Sequence, residues 1–139
     1  MLLDAGMDVH AGNDLALQTS AENGHTEVVK VLLAHGANVQ ANYNVSLIMA
    51  SRKGFASMVE ILLNAGADVH ANCDEALWLA SKNGHTEVVR VLLEAGADVH
   101  AEDGYALQMA SEWGHAEIID LLNNATGRPV VVRRNALSS

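Results

Sequence analysis

Apolar residues recur along this chain in a pattern with a period of 30 positions. Between residues 26 and 35 they occupy positions 28, 29, 31, 32 and 33, and the residues 30 and 60 positions further on are apolar as well. These spacings predict a short helix. Because the helix is apolar around most of its circumference, we expect neighbouring units to cover both of its sides. A preceding helix is predicted over residues 15–22 and the equivalent positions.

Glycines with the same period mark the predicted helix ends, because glycine tolerates the left-handed conformation that closes a helix. They form two columns: Gly24, Gly54, Gly84 and Gly114, and Gly6, Gly36, Gly66 and Gly96. Asp14, Asn44 and Asp74 form a third column, which is expected to cap the first helix of each unit. The fourth unit has Gly104 in this column, and its cap is expected to shift by one position to Asp103. Self-similarity at a fixed period is typical of repeat proteins, whose short helices are stable only when stacked.

The sequence predicts one repeat array over residues 1–127 and a tail over 128–139. The array is divided into a half unit, 1–13, and four units, 14–43, 44–73, 74–103 and 104–127. The half unit is either a minimal cap or part of a longer array. Asn123 replaces a repeated leucine and is interpreted as a C-terminal cap, with neutral drift as the alternative. The tail allows three interpretations: a strand-like segment, a peptide ligand or a foreign extension.

Three stretches carry a resemblance to a known family: GHTEVVKVLLAHGANV, GHTEVVRVLLEAGADV and GHAEIIDLL. They resemble the core of the ankyrin repeat, and the resemblance extends from residue 1 to about residue 125. It implies an all-α solenoid of stacked antiparallel helix pairs with short connecting loops. It also implies that the chain binds other proteins.

The chain departs from the usual ankyrin pattern in two respects. Its period is 30 residues, whereas about 33 is usual, which predicts a tight turn in place of a projecting hairpin. The family's Thr-Pro-Leu-His is replaced by LALQ, VSLI, EALW and YALQ. The short period is similar to that of ankyrin proteins of large DNA viruses, which implies a viral protein acting in the host cytoplasm.

Charge argues against nucleic acid as a partner. Residues 1–125 contain all 17 acidic and only five basic residues, a net charge of −12, whereas three arginines give the tail +3. An acidic body of this kind repels phosphate backbones. No apolar run reaches the roughly 18 residues of a membrane span, and the first residues, MLLDAG, lack the features of a signal peptide. We therefore expect no membrane association and an intracellular, cytoplasmic location.

No catalytic, metal or cofactor site is predicted. Histidines in the columns of His25 and His70 are at least one repeat apart, about 10 Å or more, too far to share an ion whose ligands lie within about 2.1 Å. The histidine after each glycine is expected to tie the turn between helices by hydrogen bonds. A lone Cys73 excludes an internal disulfide, and Asp74 and Glu75 beside it disfavour its thiolate. We predict that the chain is not an enzyme.

Positions that vary between units are the candidates for binding a partner protein, because stacking does not dictate them. The residues predicted to contact the partner are Tyr43, Arg52, Lys53, Glu75, Lys82, Tyr105, Glu112 and Trp113. Trp, Tyr and Arg contribute most to interface energetics. Alternatively, Trp113 covers the edge of the last unit and the charges form a solvated face. Ile48 and Trp78 are interpreted as core residues.

These observations predict a protein–protein interaction module that binds a partner protein through its loops and first helices. We expect a monomer or a weak end-to-end dimer. The alternative is a structural spacer, a fragment of a longer array or an engineered scaffold without catalytic activity.

Overall fold

The computed structural model describes residues 10–125, and the side chains of all of these except residues 11–13. Residues 1–9 of the predicted half unit and the whole tail lie outside this range. The helices in chain order are α1 (Ala11–Glu22), α2 (Thr26–Ala34), α3 (Ala41–Lys53), α4 (Ala56–Asn64), α5 (Ala71–Asn83), α6 (Thr86–Glu94), α7 (Ala101–Glu112) and α8 (Ala116–Asn124).

The helices form four pairs that stack into two layers. One layer contains α1, α3, α5 and α7 side by side, and the other contains α2, α4, α6 and α8. The helices of the second layer are nine residues long, too short to be stable alone in water. The prediction of an all-α array of stacked helix pairs is confirmed, and no strand is found within residues 10–125.

Apolar residues from both layers fill the space between neighbouring units. A leucine column and a valine column are at most 1% exposed: Leu17, Leu47, Leu77, Val29, Val59 and Val89. The equivalent leucine of the fourth unit, Leu107, is only half-buried, because no further unit within residues 10–125 covers it. Burial therefore depends on contact between units, as expected for a stacked array.

A tight left-handed turn, which lies within the first residues of α3, α5 and α7, connects each unit to the next. Asn42, Tyr43 and Asn44 have φ angles of 53°, 60° and 61°, and residues 72–74 and 102–104 adopt the same conformation. The Asn44 N–H closes the turn by donating to the Gln40 carbonyl at 3.1 Å. The short loop is thus a tight turn, as predicted. Its left-handed conformation costs about 1–2 kcal/mol for each residue other than glycine.

The column of Asp14, Asn44 and Asp74 does not cap the first helices, and that prediction was wrong. Each of these side chains is buried and accepts a hydrogen bond from a backbone N–H 24 residues further along the chain. Asp74, for example, accepts from the Asp98 N–H at 2.8 Å. These bonds tie the start of one first helix to the loop that leads to the next unit. Gly104, in the fourth unit, has no side chain to do so.

In the third and fourth units, the histidine after the first glycine column ties the unit to the preceding one, whereas the second unit has Phe55 at this position. His85 Nε2 donates to the Arg52 carbonyl at 2.8 Å, and His115 Nε2 donates to the Lys82 carbonyl at 3.0 Å. The His85 ring lies over Gly54, where a Cβ atom would be 2.5 Å from Nδ1. The prediction that these histidines close the turn of their own unit was wrong in its partner, because His85 and His115 bond the preceding unit instead.

Candidate functional site

The first helices present one common face to solvent. Its side chains come from positions 15, 18 and 22 and from those 30, 60 and 90 residues further on, and all except Ile48 are at least partly exposed. These positions share a face because residues three and four apart in a helix are neighbours. Adjacent units meet across it, since the rings of Trp78 and Tyr105 pack edge to face with centroids 5.1 Å apart. This surface, together with the left-handed turns, is the first-helix face.

A groove at the turn end of the first-helix face lies between the second and third units. It has a volume of about 560 Å³, with Tyr43, Ile48 and Met49 on one side and Asn72 and Glu75 on the other. The Asn72 side chain donates a hydrogen bond to the Glu75 carboxylate. A smaller groove lies one unit further along the face. Apolar walls with a few fixed polar groups are typical of surfaces that bind and orient a ligand.

Tyr43 at the edge of this groove is unfavourable for stability in two ways. Its side chain is 87% exposed, so it gains little from burial. Its φ angle of 60° is in the left-handed region, which disfavours a bulky residue. The same backbone conformation recurs at Cys73 and Asp103, so it belongs to the turn between units. The exposure of the aromatic ring is the feature that makes Tyr43 a candidate for contacting another molecule.

Replacing Tyr43 by glycine is expected to stabilise the chain by about 1 kcal/mol, because glycine adopts the left-handed conformation without strain. Urea denaturation followed by circular dichroism measures the change. The matched control is Lys53→Gly, which introduces glycine at an exposed position in a right-handed helix and is expected to destabilise by about 0.5–1 kcal/mol. Destabilisation by Tyr43→Gly would contradict the account of a strained turn.

A basic cluster lies at the opposite end of the first-helix face, where the first helices end. Arg52 and Lys53 are in the last turn of α3, and Lys82 is in the last turn of α5. Trp113 follows α7 and is 59% exposed. The Lys82 ammonium lies 5.8 Å from the centroid of the Trp113 ring, within the range of a cation–π contact. An aromatic ring and three cations are thus presented together.

The cations of the basic cluster differ from the other basic residues in having no acidic partner within residues 10–125. Lys30, on the second-helix layer, pairs with Glu27 at 3.3 Å. Arg90, in the same layer, pairs with Glu87 at 3.3 Å and Glu117 at 3.8 Å. The charges of the basic cluster are therefore available to a ligand.

The eight predicted site residues divide between the two ends of the first helices. Tyr43, Glu75 and Tyr105 line the grooves at the turn end, and Arg52, Lys53, Lys82, Glu112 and Trp113 lie at the other end. Seven residues of helix separate the two groups, about 10 Å. Both groups are on one side of the molecule, so a single ligand could contact them.

The sequence did not indicate two residues of the groove, Met49 and Asn72, which line it with Tyr43. Ile48 and Trp78 were assigned to the core. Ile48 is 6% exposed, and Trp78 is half-buried, packs against the core and also lines the smaller groove. The three-residue spacing between positions 75 and 78 was the signal that could have placed Trp78 on the surface.

The thiol of Cys73 is exposed, but its thiolate is disfavoured. A hydrogen bond with Glu102 and the negative charge of Glu102 raise the pKa of Cys73, and Asp74 contributes in the same direction. The predicted direction is therefore confirmed. The largest cause is a residue of the next unit, which the sequence did not indicate.

Alkylation of Cys73 by iodoacetamide is expected to have a pH profile shifted to higher pH than that of the urea-unfolded chain. Only the thiolate reacts, and a raised pKa means that less thiolate is present at a given pH. Glu102→Gln removes the neighbouring charge, so we expect it to shift the profile to lower pH. Identical profiles for the wild type and Glu102→Gln would contradict the assigned cause.

Metal-binding clusters and membrane-spanning helices are not found in the described part of the chain. No three His, Cys, Asp or Glu side chains within it are placed to hold a metal ion. None of its helices is both long enough and apolar enough to cross a bilayer.

The stacked helix pairs define the chain as a helical repeat protein. A family model described as ankyrin repeats in three copies matches residues 1–73 and 47–130. The chain therefore belongs to the ankyrin repeat family, whose members are generally protein–protein interaction modules and typically non-catalytic. No curated protein matches the sequence.

Proposed function

We propose that the chain is a protein–protein interaction module that binds a partner protein through its first-helix face. The observation that carries the proposal is the exposure of Tyr43 and Trp113, 87% and 59% respectively. Tyr43 lines a groove with Glu75. Trp113 lies beside Lys82, which is seven residues further along the same helix as Glu75. Large aromatic residues are frequent hot spots, each contributing about 2 kcal/mol or more when buried in an interface. Lys82 and the two basic residues at the end of α3 have no acidic partner within residues 10–125 and support the same surface.

The proposal includes no catalytic step, cofactor or nucleic acid, and it treats the chain as a monomer or a weak end-to-end dimer. Three statements stay predictions from the sequence: the cytoplasmic location, the similarity to viral ankyrin repeats, and the unit boundaries 14–43, 44–73, 74–103 and 104–127. The alternative of a spacer or scaffold requires no partner on this face, so the same experiment separates the two.

The proposal is tested by affinity capture from a lysate of the cells that express the chain, with quantitative mass spectrometry. Trp113→Ala combined with Lys53→Glu is expected to lower recovery of the captured partner about 10-fold or more without changing helix content. Lys30→Glu, on the second-helix layer, is the control and is expected to leave recovery unchanged. Equal recovery with all three proteins, or no reproducible partner, would favour the spacer or scaffold.

A further inference from the structure

We propose that the first-helix face recognises an acidic segment of its partner, in which two carboxylates about 10 Å apart contact Arg52 and Lys82. This inference rests on the proposed function and names the chemistry of the partner. It follows from the distribution of paired and unpaired charge, the spacing of the two cations, and the aromatic ring beside them.

Unpaired positive charge is confined to one area of the surface formed by residues 10–125. The two basic residues of the second-helix layer, Lys30 and Arg90, form ion pairs with glutamates. The remaining three, Arg52, Lys53 and Lys82, have no acidic partner in this range and lie in the last turns of α3 and α5, at one end of the first-helix face. The chain is acidic overall, so attraction for a negatively charged ligand is limited to the area around these three cations.

The helix dipole does not account for these cations. It favours positive charge in the last turn of every helix, but the equivalent positions of the first and fourth units carry Glu22 and Glu112. The row along the face therefore reads negative, positive, positive, negative. A ligand that complements it has its carboxylates over the two central units.

Hydrogen bonds between units fix the spacing of these helix ends. The His85 bond to the Arg52 carbonyl joins the two cation-bearing units, and the His115 bond to the Lys82 carbonyl joins the third unit to the fourth, which carries Trp113. Packed helices lie about 10 Å apart, which corresponds to three residues of a polyproline II segment at about 3.1 Å per residue, where every third side chain lies on the same side, or to seven residues of a helix at 1.5 Å. The exposed Trp113 ring next to Lys82 offers an apolar contact beside the carboxylates.

The inference is tested by selecting peptides from a random display library on the purified chain and measuring the affinity of the best ones by fluorescence polarisation. We expect the enriched peptides to carry pairs of Asp or Glu three or seven residues apart, next to an aromatic or aliphatic residue. The double variant Arg52→Glu, Lys82→Glu is expected to weaken their binding about 30-fold. The double variant Arg52→Ala, Lys82→Ala removes the two charges without reversing them and is expected to weaken binding less. Circular dichroism verifies that both double variants fold.

The matched control is Lys30→Glu, which makes the same change of charge at an exposed lysine of the second-helix layer. We expect it to leave peptide affinity within about twofold of the wild type. Three results would overturn the inference: enrichment of basic or neutral peptides, enrichment of acidic peptides whose affinity does not change in the Arg52 and Lys82 variants, or no enrichment at all.

If the enriched peptides in the first two cases lose affinity with Trp113→Ala, the proposed function stands and only the acidic chemistry of the partner is wrong.

Discussion

Replacing Gly54 by alanine is expected to lower the free energy of unfolding by about 3 kcal/mol. Gly54 has a φ angle of 86°, which is strained for any residue with a β-carbon. The added Cβ would lie 2.5 Å from Nδ1 of His85. The ring has to move, and its hydrogen bond to the Arg52 carbonyl is lost. The junction between the second and third units is therefore weakened, which urea denaturation monitored by circular dichroism measures.

Gly114→Ala is the matched control for this effect. Gly114 occupies the same place in the fourth unit with a φ angle of 76°, but a Cβ there would meet nothing within 4 Å. Only the backbone strain applies, and we expect a loss of about 1 kcal/mol. Equal losses for the two variants would show that the histidine contact between units contributes nothing measurable.

Replacing Leu77 by alanine is expected to destabilise the chain by about 3–4 kcal/mol. Leu77 is 1% exposed and belongs to α5, which packs against α3 on one side and α7 on the other. Removing a fully enclosed leucine side chain loses its transfer free energy and leaves a cavity that its neighbours fill incompletely. Thermal and urea unfolding measure the loss.

Leu107→Ala provides the comparison at the equivalent position of the fourth unit. Leu107 is half-buried, because one of its sides is not covered within residues 10–125. Less apolar area is lost and no closed cavity forms, so about 1 kcal/mol is expected. A cost for Leu107→Ala as large as that for Leu77→Ala would contradict the dependence of burial on neighbouring units.

The helices could be predicted from the sequence because their signal is local and is repeated in every unit. The second helix was expected over residues 26–35 and is observed as Thr26–Ala34. Apolar spacing of three and four residues defines the buried side, and glycine columns define the ends. Repetition turns a weak local pattern into a strong one.

The contacts between units could not be predicted, because their partners are distant along the chain. Asp74 accepts its hydrogen bond from a residue 24 positions away, and His85 donates to one 33 positions away. In sequence, an aspartate before a helix is typical of an N-cap. The left-handed conformation at Tyr43 could not be predicted either, because tyrosine rarely adopts it.

The candidate site was predicted as a set of variable positions, but its charge pattern needed the structure. Lys30 and Lys82 are both exposed or partly exposed lysines on helices. Only the structure shows that Lys30 pairs with Glu27 while Lys82 lies beside Trp113. Charge pairing between side chains is decided by distance, which repeat spacing alone does not give.

Nuclear magnetic resonance titration with the captured partner or a selected peptide tests the central claim most directly, because Trp78 packs against Tyr105 on the first-helix face and Trp113 lies beside Lys82 at the end of that face. We expect the indole N–H signals of Trp78 and Trp113 and the amide signals near Tyr43 to change on binding. Signals of the second-helix layer, such as those around Lys30 and Arg90, are expected to stay in place. Changes confined to the second-helix layer, with both indoles unaffected, would contradict the account.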